Sequence, residues 1–174
     1  MQIEILSPLG PLSIASSEGK ITRLQFIRQR VPYPDIKNRD LSASDSIIIQ
    51  QARLQLLEYF NGKRQEFNLP LFPQGTEFQN DAWTIIKEIP YGETRSYTWQ
   101  CDAIKKPRGQ RAVGAANSKN PLPIFIPCHR IVAKDGALKS YIGGANVKKR
   151  LLLHEKFFHS QKNTGLPLEE SFSR

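Results

Sequence analysis

The sequence predicts an α+β protein with two unlike parts: a small N-terminal β-meander closed by one helix, and a mainly helical C-terminal unit that contains a helix-turn-helix. Three observations carry this reading. Short alternating apolar runs separated by turn residues fill the N-terminal end. Helical apolar spacing dominates from Thr76 onward. Between them, residues 63–75 hold Pro70, Pro73 and Gly75 and show no helical period.

Ile3 and Ile5, Leu12 and Ile14, and Ile21, Leu24 and Phe26 mark three strands. Ser7-Pro8-Leu9-Gly10-Pro11 and Glu18-Gly19-Lys20 supply the turns between them. Residues 28–45 are polar, with Pro32 and Pro34, and read as a surface loop. A helix is expected from about Ser46 to Phe60, because Ile49, Ala52, Leu56 and Phe60 recur at helical spacing and Asn61-Gly62 stops it. Thr76 and Gln79 form a capping box for a helix lined by Phe78, Ala82, Ile86 and Ile89 and ended by Pro90-Tyr91-Gly92. Ser96 caps a helix over about 97–104, Lys106-Pro107-Arg108-Gly109 turns the chain, and a second helix spans about 110–118. The expected division is therefore 1–75, an N-terminal β/α domain with its linker; 76–158, a mainly helical domain; and 159–174, a flexible tail.

A chain of 174 residues with a net charge of +9 is long enough for a real core. Its apolar stretches are too short and too often broken for a membrane span, and its first residues lack a basic and apolar leader, so a cytoplasmic protein is expected. A nuclear location would apply only in a eukaryote. Residues 1–75 carry nine basic and seven acidic side chains, whereas 76–174 carry sixteen and nine. That asymmetry points to a polyanion partner for the C-terminal part. Lys105, Lys106, Arg108, Arg111 and Lys119 surround the second helix of the pair with no acid among them. That helix is small-sided (Ala112, Val113, Gly114, Ala115, Ala116), which suits close approach to a groove, with Arg111 and Asn117 as its polar readers.

Cys101 and Cys128 have no disulfide or metal spacing with each other or with His129, His154 and His159, and both are expected as thiols. Cys128 lies between the apolar, strand-like runs Ile124-Phe125-Ile126 and Ile131-Val132 and is expected to be buried, where a lone cysteine is ordinarily an inert small hydrophobe. Here His129 and Arg130 follow it at once, a base and a fixed cation beside a thiol that needs activation. On the last helix Val147, Leu151, Glu155 and Phe158 share one face, so Glu155 points inward and needs a partner. That partner is either a nearby Arg or Lys, or His129, which would then draw the proton from Cys128 in a Cys–His–Glu relay.

Pro127-Cys128-His129-Arg130, with Asn120-Pro121 before it and Tyr141-Ile142-Gly143-Gly144 after it, closely resembles the O6-alkylguanine-DNA alkyltransferases. The resemblance extends through Phe78-Gln79, Ile89-Pro90-Tyr91-Gly92-Glu93-Thr94, Ser96-Tyr97, Arg111-Ala112-Val113-Gly114 and Leu151-Leu152-Leu153-His154-Glu155, covering about 76–158. It implies an RNase H-like N-terminal domain and direct-reversal DNA repair by a methylated-DNA–protein-cysteine methyltransferase. Such a protein acts once, on O6-methylguanine and in some cases O4-methylthymine, flipping the base from double-stranded DNA bound through the minor groove. It works as a monomer, without metal or organic cofactor.

By the same resemblance Cys128 is the acceptor, His129 and Glu155 hold it as thiolate through a water molecule, and Asn120 braces the turn. Arg111 fills the space of the flipped base, and Tyr97 presses the backbone and is a candidate proton donor. The expected DNA contacts are Arg111, Tyr97, Ala112, Asn117 and Arg130. The expected pocket is Tyr141, Ile131, Ile142, Gly143 and Gly144, with the backbone carbonyls of Cys128 and Ile131 facing the base and the bulk of Ile142 limiting larger O6 groups. Cys101 is expected only to pack. A lesion-recognition protein without alkyl transfer would lack Cys128, and a cysteine hydrolase would leave the basic helix pair without a role.

Overall fold

The computed structural model describes residues 2–27, 43–139 and 141–164. Three antiparallel strands open the chain: β1 (Gln2–Ser7), β2 (Gly10–Ser17) and β3 (Lys20–Phe26), in the order β1-β2-β3. The β2–β3 turn places both Glu18 (φ 54°) and Gly19 (φ 70°) in the left-handed region, the backbone of the two-residue turns that match strand twist. Helix α1 (Ala43–Phe60) lies across this sheet and begins earlier than the expected Ser46, with Asp45 Oδ1 accepting from Gly19 N at 3.0 Å. The rest of the expected 28–45 loop lies outside the described residues.

The end of α1 is set by Gly62. Its N–H donates to Tyr59 O (3.0 Å) and that of Lys63 to Glu58 O (2.8 Å), the paired bonds of a Schellman stop, with Gly62 at φ 71°. A Cβ there would also lie 2.1 Å from Cδ1 of Phe158.

The segment joining the two parts is pinned to β3. Ile21 N donates to Pro70 O and Phe72 N to Ile21 O, both at 2.8 Å, and Leu24 N reaches Pro121 O at 2.8 Å. These bonds occupy the free edge of β3, which would otherwise present unpaired backbone. One cluster of buried residues consequently runs from Leu12, Ile14, Ile21 and Leu24 through Ile49 and Leu56 to Trp83, Ile86, Leu122, Cys128, Ile131 and Leu151.

Helix α2 (Glu77–Ile86) starts at the expected capping box, formed by Thr76 and Gln79 in both directions. It ends before Ile89: Lys87, Glu88 and Ile89 close with tighter bonds to Thr84, Ile85 and Ile86, and Ile89 is buried from this turn rather than from the helix. Strand β4 (Arg95–Ser96) leads into α3 (Tyr97–Ala103), where Ser96 Oγ accepts from Trp99 N at 3.1 Å. Helix α4 (Gln110–Ser118) follows the basic turn. A 3₁₀ turn (Cys128–Arg130), strand β5 (Ile131–Val132) and helix α5 (Ala145–Thr164) complete the order. Ile124-Phe125-Ile126 forms a tight turn instead of the expected strand-like run. Residues 159–164, expected in a flexible tail, continue α5, and His159 packs against Gly92; residues 165–174 lie outside the described part.

Gly62→Ala should lower stability by about 2–4 kcal/mol, the sum of left-handed strain and overpacking against Phe158. Denaturant unfolding reads this directly, and an unchanged midpoint would contradict the close contact.

Candidate active site

The loop from Asn120 to Val132 is built around one buried amide. Asn120 Oδ1 accepts from Leu122 N (3.0 Å), while Nδ2 donates to Ile126 O (2.9 Å) and lies 3.1 Å from Cys128 Sγ. Ile126 N returns to Leu122 O at 2.8 Å, which forces Ile124 to φ 76°. A β-branched residue in that region costs roughly 1–3 kcal/mol, so the amide cage must over-determine the turn. The expected bracing role of Asn120 corresponds to these bonds, and the contact with sulfur adds to it.

Parallel pairing of β4 with β5, Arg95 opposite Ile131 and Ser96 opposite Val132, sets the start of α3 beside the cysteine loop. Tyr97 thereby becomes the half-buried lid of the site. Helix α5 brings Glu155 from the other side, fully buried at 0% exposure. Its Oε1 accepts from His129 Nε2 (2.9 Å), Arg130 Nη2 (3.0 Å) and Tyr59 Oη (2.8 Å). Its Oε2 accepts from Arg130 Nε (2.9 Å) and Gly92 N (3.2 Å). Both partners weighed for Glu155 from the sequence, an arginine and His129, are therefore present at once.

Burial opposes the charge on Glu155, but the charge and hydrogen bond of His129, together with Arg130, outweigh it and hold the carboxyl well below the ordinary range. An ionised carboxylate only accepts, so His129 Nε2 carries the proton. Burial lowers the imidazole pKa, assisted by Arg130 and Lys148 and opposed by Glu155, so the ring is neutral at rest. Its Nδ1, buried and without a hydrogen-bond partner among the described residues, is then a lone pair free to accept. Burial pushes the Cys128 thiol up to about 11, while the Asn120 amide and Lys148 pull against the rise. Burial thus works against the thiolate implied by the resemblance, and within the described residues the sulfur's side-chain hydrogen bond comes from Asn120, not from His129. The Tyr97 hydroxyl is raised by burial and then by Cys128, and stays protonated.

The expected pocket residues gather here. Tyr141 is buried, edge-on to His129 (centroids 6.3 Å apart), and its hydroxyl has no hydrogen-bond partner among the described residues. Gly143 cannot carry a Cβ, which would lie 2.9 Å from both Phe26 and Val147, while Gly144 needs its freedom for φ 92°. Ile142 is half-buried beside them. The carbonyls expected to face a base already have donors, Ile131 N for Cys128 O and Lys148 Nζ (2.6 Å) for Ile131 O. Lys148 is 1% exposed and its ammonium lies 6.0 Å from the Tyr97 ring centroid.

Two expected DNA contacts are corrected. Arg130 is buried, its guanidinium spent on Glu155 and on Ile89 O at 2.7 Å. Asn117 is buried in a reciprocal amide pair with Gln100 (3.1 and 2.8 Å) that locks α3 to α4. Arg111 and Ala112, by contrast, are exposed on α4. An open groove of about 490 Å³ runs along α4, lined among others by Tyr97, Arg111, Gly114, Ala115, Lys134 and Lys139. Its wall at Tyr97 adjoins Cys128, so a basic surface opens next to a buried nucleophile.

Sequence reasoning missed Tyr59, Lys148, Gly92 and Phe26 as neighbours of the site. Lys148 had a signal, since it sits with Leu151 and Glu155 on the inward stripe of α5. Tyr59 had none, being an aromatic on an ordinary core helix. Among the described residues no group of three His, Cys, Asp or Glu could hold a metal, and no helix is long and apolar enough to cross a membrane.

Comparison with known proteins gives one result throughout. The family model described as "6-O-methylguanine DNA methyltransferase, DNA binding domain" matches residues 77–157, and that described as its "ribonuclease-like domain" matches residues 5–73. The methylated-DNA–protein-cysteine methyltransferase of Methanosarcina barkeri is 41% identical over 87% of this chain and 94% of its own length. The constitutive enzyme of that name from Bacillus subtilis is 42% identical over 90% and 95%. The crystal structure of Mycobacterium tuberculosis OGT in complex with DNA is 38% identical, covers 90% of this chain and 93% of that one, and superposes with a TM-score of 0.79.

Removing the Arg130 fork leaves Glu155 charged and under-compensated, so Arg130→Met should cost about 3–5 kcal/mol of stability. The pH dependence follows from Glu155: its folded pKa is depressed, so its contribution is complete above the ordinary 4.5 and is lost as pH falls below it. Losing Arg130 raises the folded pKa toward the unfolded one, so the acid loss should begin at the same pH but become smaller. Urea unfolding between neutral and acid pH checks both, and a stability equal to wild type at neutral pH would contradict the assignment.

Proposed function

This chain belongs to the 6-O-methylguanine DNA methyltransferase family, and from that premise we propose that Cys128 is its single-use alkyl acceptor. The protein is a transferase that repairs DNA by moving an alkyl group onto a cysteine, and DNA is its partner. One observation supports Cys128 above all: the thiol sits beside a neutral imidazole backed by an ionised carboxylate, next to a basic groove. The substrate we assign is O6-alkylguanine in duplex DNA, approached by a monomer from the minor groove.

The exposed cations of the turn and of α4 hold phosphates without reading sequence, which suits a protein that must inspect any stretch of duplex. The small side chains Ala112 and Ala115 let the α4 backbone come close, and Arg111 occupies the gap left by the flipped nucleotide. Extrusion costs a few kcal/mol, and Arg111 in the stack offsets part of it. The base then lies between Tyr141 and the Gly143-Gly144 backbone, where the Tyr141 hydroxyl, unpartnered among the described residues, supplies a hydrogen bond.

Chemistry proceeds by displacement. His129 Nδ1 takes the Cys128 proton through a bridging water as Sγ attacks the alkyl carbon; the S–C bond forms and the C–O6 bond breaks. The imidazolium that results is held by Glu155 at 2.9 Å. The electron pair returns to the guanine, and Tyr97 delivers a proton at N3 or O6. Solvent then carries the imidazolium proton to the Tyr97 oxygen, so the net change moves the alkyl group to sulfur and one proton to guanine, with His129 neutral and Tyr97 protonated again. No step regenerates the thiol, so each chain acts once.

Incubation with excess radiolabelled O6-methylguanine duplex should place one label per chain on the Cys128 peptide. An unlabelled protein, or label that keeps accumulating in product through turnover, would overturn the proposal.

The pKa directions also set a pH profile. A depressed imidazole pKa and a thiol at about 11 bracket a plateau in which the neutral-base, thiol pair is the major form. The single-turnover rate should vary less than about threefold between roughly pH 7 and 9 and fall in acid, below the ordinary histidine range, as His129 takes a proton. A tenfold rise per pH unit would mean attack by an independently titrating thiolate, and the base role of His129 would be wrong.

A further inference from the structure

Glu155 is held from both parts of the chain. Gly92, His129 and Arg130 belong to the C-terminal part, but Tyr59 reaches it from α1, 96 positions away in sequence. The Tyr59 ring is fully buried and its hydroxyl lies 2.8 Å from Oε1. Burial, followed by the charge of Glu155, raises the hydroxyl pKa well above 10.0, so it carries its proton and donates. Arg130 contacts both carboxylate oxygens and fixes where the group sits with or without Tyr59. What Tyr59 changes is the charge available on Oε1, the atom on which His129 rests.

We propose that Tyr59 is a positioning residue for alkyl transfer, supplied by the N-terminal part: its hydroxyl shares Glu155 Oε1 with His129 Nε2 and so limits the strength of the imidazole as a base. The inference rests on the reading that His129 takes the thiol proton. A donor on a carboxylate oxygen stabilises the anion and draws charge from it. The imidazolium formed during transfer then meets a weaker counter-charge, and His129 titrates lower than it otherwise would.

The other groups facing this pair are all retained in Tyr59→Phe. Arg130 and Lys148 disfavour the imidazolium, and His154, whose Nε2 contacts Tyr59 O at 2.9 Å, lies on the same helix as Glu155. Tyr141 stands edge-on to the imidazole, Tyr91 lies near the carboxylate, and Cys128 is the proton source. The substitution therefore isolates a single donor.

The test uses the full chain with two readouts: NMR titration of the His129 imidazole, and the acid limb of single-turnover transfer from O6-methylguanine duplex. Tyr59→Phe should move both upward by about half a unit to one unit, with duplex affinity unchanged. 3-Fluorotyrosine at position 59, a stronger donor of nearly the same shape, should move both downward, and it decides the matter if Tyr59→Phe does not fold. A purely structural Tyr59 would lower the melting temperature and leave both readouts in place, which would overturn the proposal. If the imidazole titration moves but the transfer limb does not, His129 is not the base: the relay reading fails, and the role of Tyr59 in transfer fails with it. If wild type shows the limb and neither variant shifts it, the relay stands and Tyr59 is excluded.

Discussion

A carboxylate with no access to water is the constraint around which this molecule is arranged. An isolated buried charge costs far more than a small domain's whole stability, so Glu155 exists only because donors converge on it. They come from α1, the turn after α2, and the 3₁₀ turn that begins at Cys128. Each of those elements must be in register for α5 to seat. The Schellman stop at Gly62, which lets Phe158 of α5 pack against the end of α1, serves that seating at the level of backbone geometry. Catalytic geometry and folding are the same requirement here.

The same burial shapes the nucleophile. Burial that raises the thiol to about 11 favours its protonated form, and the thiolate is the reactive one. In the proposed mechanism reactivity is created when the alkyl carbon is aligned and the imidazole takes the proton. For a protein spent by a single reaction, a quiet resting state is of obvious value. Asn120 donates to the sulfur, and in the proposed mechanism the ionised Glu155 supplies the charge that makes proton transfer to His129 feasible.

Positive charge is divided between two tasks. Arg130 and Lys148 face inward, one neutralising Glu155 and the other fixing the Ile131 carbonyl beneath Tyr97. Arg111, Lys134 and Lys139 face outward along the groove. Net charge alone cannot separate these groups, because a guanidinium contributes equally to the sum wherever it points. Asn117 makes a parallel case on α4: an amide on a helix in a basic setting reads as a base contact, yet it closes the Gln100 pair inside the helix-turn-helix.

The sequence by itself determined what depends on neighbours a few residues apart. The strand alternation, the Thr76–Gln79 capping box, the helix pair around a basic turn and the inward placement of Glu155 all follow from short-range periodicity, and the Pro127-Cys128-His129-Arg130 run announced the chemistry. Tertiary structure alone decided which distant side chains meet at the carboxylate. Tyr59 and Gly92 lie 96 and 63 positions from Glu155, and nothing local distinguishes that tyrosine from any other core aromatic. Tertiary structure also turned Arg130 inward and ended α2 ahead of Ile89. The physical reason is common to these cases: a periodic pattern reports which face of an element is apolar, whereas the partner of a buried polar group is chosen by the demand of a second, distant group for compensation, and that demand exists only once the chain has closed around it.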